Sequence, residues 1–167
     1  MLFRVLAFTL LFAFCPAHAG DKIAIVDFNR ASQVVREGAL IQGELMQLQR
    51  SKEASIKEME AQIMGMRNEY EKQQMILSDD TRRTKEQEIM AATQEYQQAV
   101  VAAQQEMASA YETKAAALFE KMRIVCEEIG KEKKYSLVLE VSQGGVVYSG
   151  DAEDITDELV KRYDAGG

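Results

Sequence analysis

Apolar residues recur at helical spacing from Asn29 to Lys134, a stretch that contains no proline. One row comprises Ile41, Leu45, Leu48, Ile56, Met59, Ile63, Met66 and Tyr70, with Lys52 as its single polar member. The row advances by about 3.6 residues, the period of a nearly straight helix rather than a tightly supercoiled heptad. A second row comprises Ile89, Thr93, Tyr96, Val100, Ala103, Met107, Tyr111, Leu118, Met122, Val125 and Ile129, with Lys114 as the polar exception. The periodicity breaks at Leu77-Ser78-Asp79-Asp80, where Ser and Asp suit the N-terminus of a new helix. Short strand-like runs frame the whole, Lys22–Phe28 before it and Tyr135–Val141 after it. The pattern predicts a long antiparallel helical-hairpin arm, turning near residues 77–84, on a small β-structured base. At 1.5 Å per residue its helices extend roughly 60 to 75 Å.

Near the root, Asn29 is the expected N-cap. A short helix through Gln33-Val34-Val35 is expected to stop near Gly38. Away from the seam, Met46, Met64 and Met75 fall within about 20° of one another, and Met90, Val101, Ala108 and Ala115 form a matching flank. A two-helix arm has no third layer on which to bury them. Two readings stand: a flexible surface for varied partners, or scattered methionines beside alanines that favour helix.

In the base, Ile23, Ile25, Leu137, Leu139 and Val141 alternate as half-buried strand residues do. Gln143-Gly144-Gly145 reads as a turn, Val146-Val147-Tyr148 as an antiparallel third strand, and Asp154 or Thr156 as the start of a final helix burying Ile155, Leu159 and Tyr163. So small a unit is marginal alone, and the sequence predicts oligomerisation through these strands.

Arg4, the apolar stretch Val5–Phe14 and Ala17-His18-Ala19 have the order of an export signal cleaved near Ala19. A membrane anchor is the alternative; a lipoprotein centred on Cys15 is opposed by bulky Phe14. The expected domains are therefore 1–19 (signal), 20–38 with 130–167 (body) and 39–129 (arm). Cleavage would leave Cys126 as the sole cysteine, expected to be a small buried residue near the arm's root, with a bridge to another chain or a reactive thiol as the other option. It would also remove the only histidine, His18. Neither a phosphate-binding loop nor a dinucleotide fingerprint is present. An enzyme is not expected, and no cofactor or metal is implied. A net charge of −7 disfavours nucleic acid as a partner.

The order Lys22-Ile-Ala-Ile-Val-Asp27, Thr84-Lys85, Leu137-Val-Leu139, Val147-Tyr148 and Asp154-Ile-Thr156 with Leu159, set around a helical hairpin, resembles the Skp/OmpH-type periplasmic chaperones of Gram-negative bacteria. The resemblance implies a homotrimer whose arms enclose unfolded outer-membrane proteins without ATP. With that expectation, the off-seam flank makes Met46, Met64, Met75, Met90 and Val101 the expected client contacts, and the alternating strand residues Ile23, Ile25, Leu137, Leu139 and Val141 the expected oligomerisation body. Familiar members are strongly basic, whereas this chain is acidic and keeps only Arg82, Arg83 and Lys85 near the tip. That departure argues against contact with lipopolysaccharide or membrane. An adaptor coiled coil of an envelope export complex is the alternative from a different class.

Overall fold

The computed structural model of the protein describes residues 22–142 and 145–166. The export-signal reading and the Gln143-Gly144 part of the expected turn lie outside them. The elements are β1 (Ile23–Val26), α1 (Phe28–Val34), α2 (Arg36–Gln73), α3 (Asp79–Lys133), β2 (Leu137–Glu140), β3 (Glu153–Asp154) and α4 (Thr156–Gly166). The protein is thus mainly helical with a small three-stranded sheet. At 1.5 Å per residue, the 38 residues of α2 and 55 of α3 extend about 57 and about 82 Å.

The expected seam forms. On α2 every named member from Ile41 to Tyr70 is at least half-buried. Its two polar positions are satisfied across the hairpin. Lys52 Nζ lies 2.6 Å from Glu106, and Lys114 Nζ lies 2.5 Å from Glu44. On α3 one member departs: Tyr111 is 65% exposed. The steps from Met107 to Leu118 run instead through half-buried Ala110 and Lys114, which keeps the helical period and turns Tyr111 outward. The turn lies between Gln73 and Asp79, where the Ser78 hydroxyl accepts from Thr81 N–H at 3.3 Å and caps α3.

The root differs from the sequence expectation in three respects. First, Asp27 rather than Asn29 caps α1, its carboxylate accepting from Arg30 N–H at 2.8 Å. Second, the break between α1 and α2 falls at extended Val35, and Gly38 sits inside α2. The glycine answers a close approach: a Cβ there would stand 1.8 Å from the Ser32 carbonyl oxygen. Third, Val146–Tyr148 is not a strand; Val147 is 99% and Tyr148 88% exposed. The free edge of β1 is taken by β3 because burial of Ile155 and Leu159 draws that segment in, with Ile155 N–H donating to Ile25 C=O at 2.9 Å.

The sheet order is β2-β1-β3, and both pairings are parallel. Parallel neighbours need a crossover, and the whole arm is that crossover between β1 and β2. Ala24 and Val26 point into a core shared with Ala31, Val35, Leu118, Met122, Ile129, Leu159 and Tyr163. Thr156, 1% exposed, joins the two helix starts: its hydroxyl accepts from Asp27 N–H at 3.0 Å.

A cluster of charges holds β3 against the end of α3. The Tyr135 hydroxyl, Lys133 and Lys22 hold the Glu153 carboxyl down to about 2, from an ordinary 4.5. A depressed carboxyl stabilises the fold above its unfolded value and loses that effect as pH falls towards the folded one. Stability is therefore expected to decline as pH drops from about 4.5 to about 2. Glu153→Gln should flatten the slope of melting temperature against pH across that window. The effect should be small, because the side chain is 46% exposed and water screens it.

Candidate functional site

The arm has two chemically different long faces. At about 100° per residue, Met46 and Met64 stand roughly 125° from the α2 seam, and Met90 and Val101 roughly 100–120° from the α3 seam. The helices run antiparallel, so rotation in the same sense places both pairs on one face of the hairpin. Three grooves confirm the pairing of the two flanks. One holds Met64 and Arg67 with Thr93 and Tyr96, the next Gln49 and Ile56 with Gln104 and Met107, and the third Gln42 and Leu45 with Tyr111 and Phe119.

Along this face the large apolar side chains stay open to solvent: Met46 53%, Met64 58%, Met90 69% and Val101 52% exposed. Between Glu86 and Glu112 the α3 flank carries Gln94, Gln97, Gln104 and Ala108 but no charge, because Glu88, Glu95 and Glu106 rotate to the opposite side. That opposite side holds the ion pairs that staple the hairpin. Besides Lys52–Glu106 and Lys114–Glu44, they are Lys121–Glu37 at 2.6 Å and Lys85–Glu69 at 3.7 Å. One face thus carries the cross-hairpin ion pairs, while the other exposes the methionines, its α2 edge carrying Glu53, Glu60 and an Arg67 that reaches Thr93 at 3.3 Å.

Met75 does not share the helical flank. It lies beyond the end of α2, in the turn, where it is 90% exposed beside Ile76 at 85%. Extrapolating the helical period past Gln73 placed it on the flank; the turn at the arm's end removes it. Tyr111 is the converse case, assigned to the seam by spacing and found on the open face. Its signal was a ring at a point where alanine and lysine offered a second way to continue the row.

The second open surface is on the sheet. Ile23 pairs in register with Leu137 and Ile25 with Leu139, which puts these four side chains on the face opposite Ala24 and Val26. Neither they nor Val141 belongs to the core cluster or to the hydrophobics packed on it. Ile23 is 38% and Leu137 47% exposed.

A family model for outer membrane protein (OmpH-like) matches residues 22–163, nearly everything from the first strand to the last helix. The chain belongs to the OmpH-like family. A crystal structure from Caulobacter crescentus, described as an OmpH-like outer membrane chaperone, is similar with a TM-score of 0.79 at 16% identity, over 95% of this chain and 92% of that chain. At that identity the likeness carries the fold. Among curated proteins no relative matches.

In this OmpH-like chain the basic spot at the tip is largely spent internally. Arg82 lies 3.4 Å from Asp79, and Lys85 pairs with Glu69; Arg83 is exposed. Cys126 is buried among the core residues, and burial pushes its thiol up to about 12. A thiol so held stays protonated and packs as a small apolar group. Among the described residues, no helix is long and apolar enough to cross a membrane.

Proposed function

We propose that the protein is an ATP-independent holdase of the periplasm, reached through an export signal cleaved near Ala19, that encloses unfolded outer-membrane proteins between the arms of a homotrimer. The observation that carries this reading is the solvent-open row of Met46, Met64, Met90 and Val101 on one face of the arm, beside an α3 flank that carries no charge between Glu86 and Glu112. Barrel strands alternate apolar and polar residues and aggregate through unpaired edges. Many weak contacts with flexible methionine side chains can hold such chains without imposing a fold. The open sheet face supplies the surface through which three bodies would join. Capture rests on apolar contact and enclosure, since the chain carries a net charge of −7 and the tip cations Arg82 and Lys85 pair with Asp79 and Glu69, and no role for lipopolysaccharide is proposed. Short strands rather than larger β domains flank the hairpin, which speaks against an adaptor of an envelope export complex.

The test is suppression of light scattering when an outer-membrane β-barrel protein is diluted from urea into stoichiometric trimer. Scattering as high as in buffer alone would end the proposal. Met46, Met64 and Met90 are more than half exposed, so changing all three to Glu should leave the melting curve intact. Client retention should weaken by about tenfold, or about 1.4 kcal/mol, as read by competition for a labelled client. Recovery of one folded, stoichiometric partner in place of varied unfolded chains would favour the adaptor.

A further inference from the structure

A groove of about 380 Å³ opens where α1, α2 and α3 meet at the arm's root. More than a quarter of the chain's residues are charged, yet none of the side chains lining this groove is. Its floor is apolar, with Ile41, Leu45 and Leu118 below the rings of Tyr111 and Phe119. Phe119 is held from behind by Phe28, ring centroids 5.8 Å apart, whereas Tyr111 stands 65% exposed. The rim is amide: Asn29, Gln33 and Gln42 are all exposed.

We infer that this groove is an anchoring subsite for an uncharged, extended stretch of unfolded chain bearing an aromatic side chain. The inference rests on the holdase reading and assigns that site a preferred ligand. The volume is at the small end of ligand pockets and suits one ring with its flanking main chain. Aromatic walls favour a ring in offset or edge-to-face contact. Each rim amide can both donate and accept, which matches an extended backbone whose N–H and C=O groups lack partners. A folded partner has already paired those groups, and a charged segment would leave its charge in a wall that offers no counter-ion. Beyond Ala115 the exposed Glu112 stands on the same flank, and past it the uncharged stretch from Ala108 towards Met90 continues along the arm.

The chain contains no tryptophan, which gives the test a clean signal. A short neutral peptide alternating Thr with Phe and carrying one Trp should show a blue-shifted emission on binding the whole protein. Tyr111→Glu should weaken that binding at least tenfold, and Gln42→Glu, also exposed, provides a second variant. Leu40→Glu, on the other side of the root and 68% exposed, should leave it unchanged, as should raising salt from about 0.05 to about 0.5 M, because no ion pair is involved. The same peptide with Ala at every aromatic position should not bind. Wild-type affinity in both charged variants, or loss of binding in salt, would overturn the subsite while leaving the holdase reading standing. Failure of the unmodified protein to suppress client aggregation would remove both.

Discussion

Gly38→Ala is expected to lower the melting temperature by about 6–12 °C, the shift that about 3 kcal/mol produces in a domain of this size. A Cβ at this position would lie 1.8 Å from the Ser32 carbonyl oxygen and 2.9 Å from its carbon. The obstacle is backbone, so no side-chain rotation relieves it. Moving Ser32 means moving Ala31 and Val35, both fully buried, so relaxation would reach into the core. Such overpacking costs about 1–3 kcal/mol and occasionally more; the upper end applies where helix must move against helix. Gly65 lies in the same helix with nothing within 4 Å of an added Cβ. There the ordinary helix preference rules, and Gly65→Ala should stabilise by about 1 kcal/mol. Thermal unfolding at matched protein concentration reads both. Equal shifts in the two variants would refute the close-approach account of Gly38.

Leu139→Asp should convert the proposed trimer into a folded monomer. Leu139 is half-buried opposite Ile25 and lies outside the core cluster. In an isolated chain the carboxylate can therefore face water. In an assembled body it would be buried without a partner, at a cost of at least about 3 kcal/mol per copy, a hundredfold or more in association. Sedimentation should show one-third of the mass with helical circular dichroism preserved. An intact trimer would contradict the assembly surface. Val26→Asp, on the other face of the same sheet and 2% exposed, should unfold the body outright.

The parts of this fold that could be read from the sequence are those set by periodicity. The seam from Ile41 to Tyr70 needed only the helical repeat, because in a two-helix arm one stripe must be buried and nothing else competes for it. Leu159 and Tyr163 on α4, and Ile155 just before it, followed from the same rule, and all three are buried. The departures lie where distant segments decide. Val146-Val147-Tyr148 has strong strand preference, but preference cannot say which segment fills the edge of β1. Burial of Ile155 settles that in favour of Glu153–Asp154. Gly38 carried the mark of a helix stop, and only the approach of Ser32 shows its use. On the arm, Met46, Met64, Met90 and Val101 were visible as a set away from the seam. The neutral root groove was not, since it draws Asn29 and Gln33 together with Tyr111 and Phe119, 78 to 90 residues further along the chain.

The central position of β1 has a consequence for the order of events during synthesis. The first strand made lies between the last two, and about 110 residues separate Val26 from Leu137. Closing so long a loop unaided costs about 4 kcal/mol, and a two-residue third strand could not offset it. The arm removes that cost beforehand: once α2 and α3 zip together from the tip, the ends of the loop are already side by side. A nascent chain therefore has a finished lever before it has a base. Until residues 153–159 emerge, Ala24 and Val26 have no lid. The device proposed to shelter unfinished proteins spends most of its own synthesis with its core unsealed.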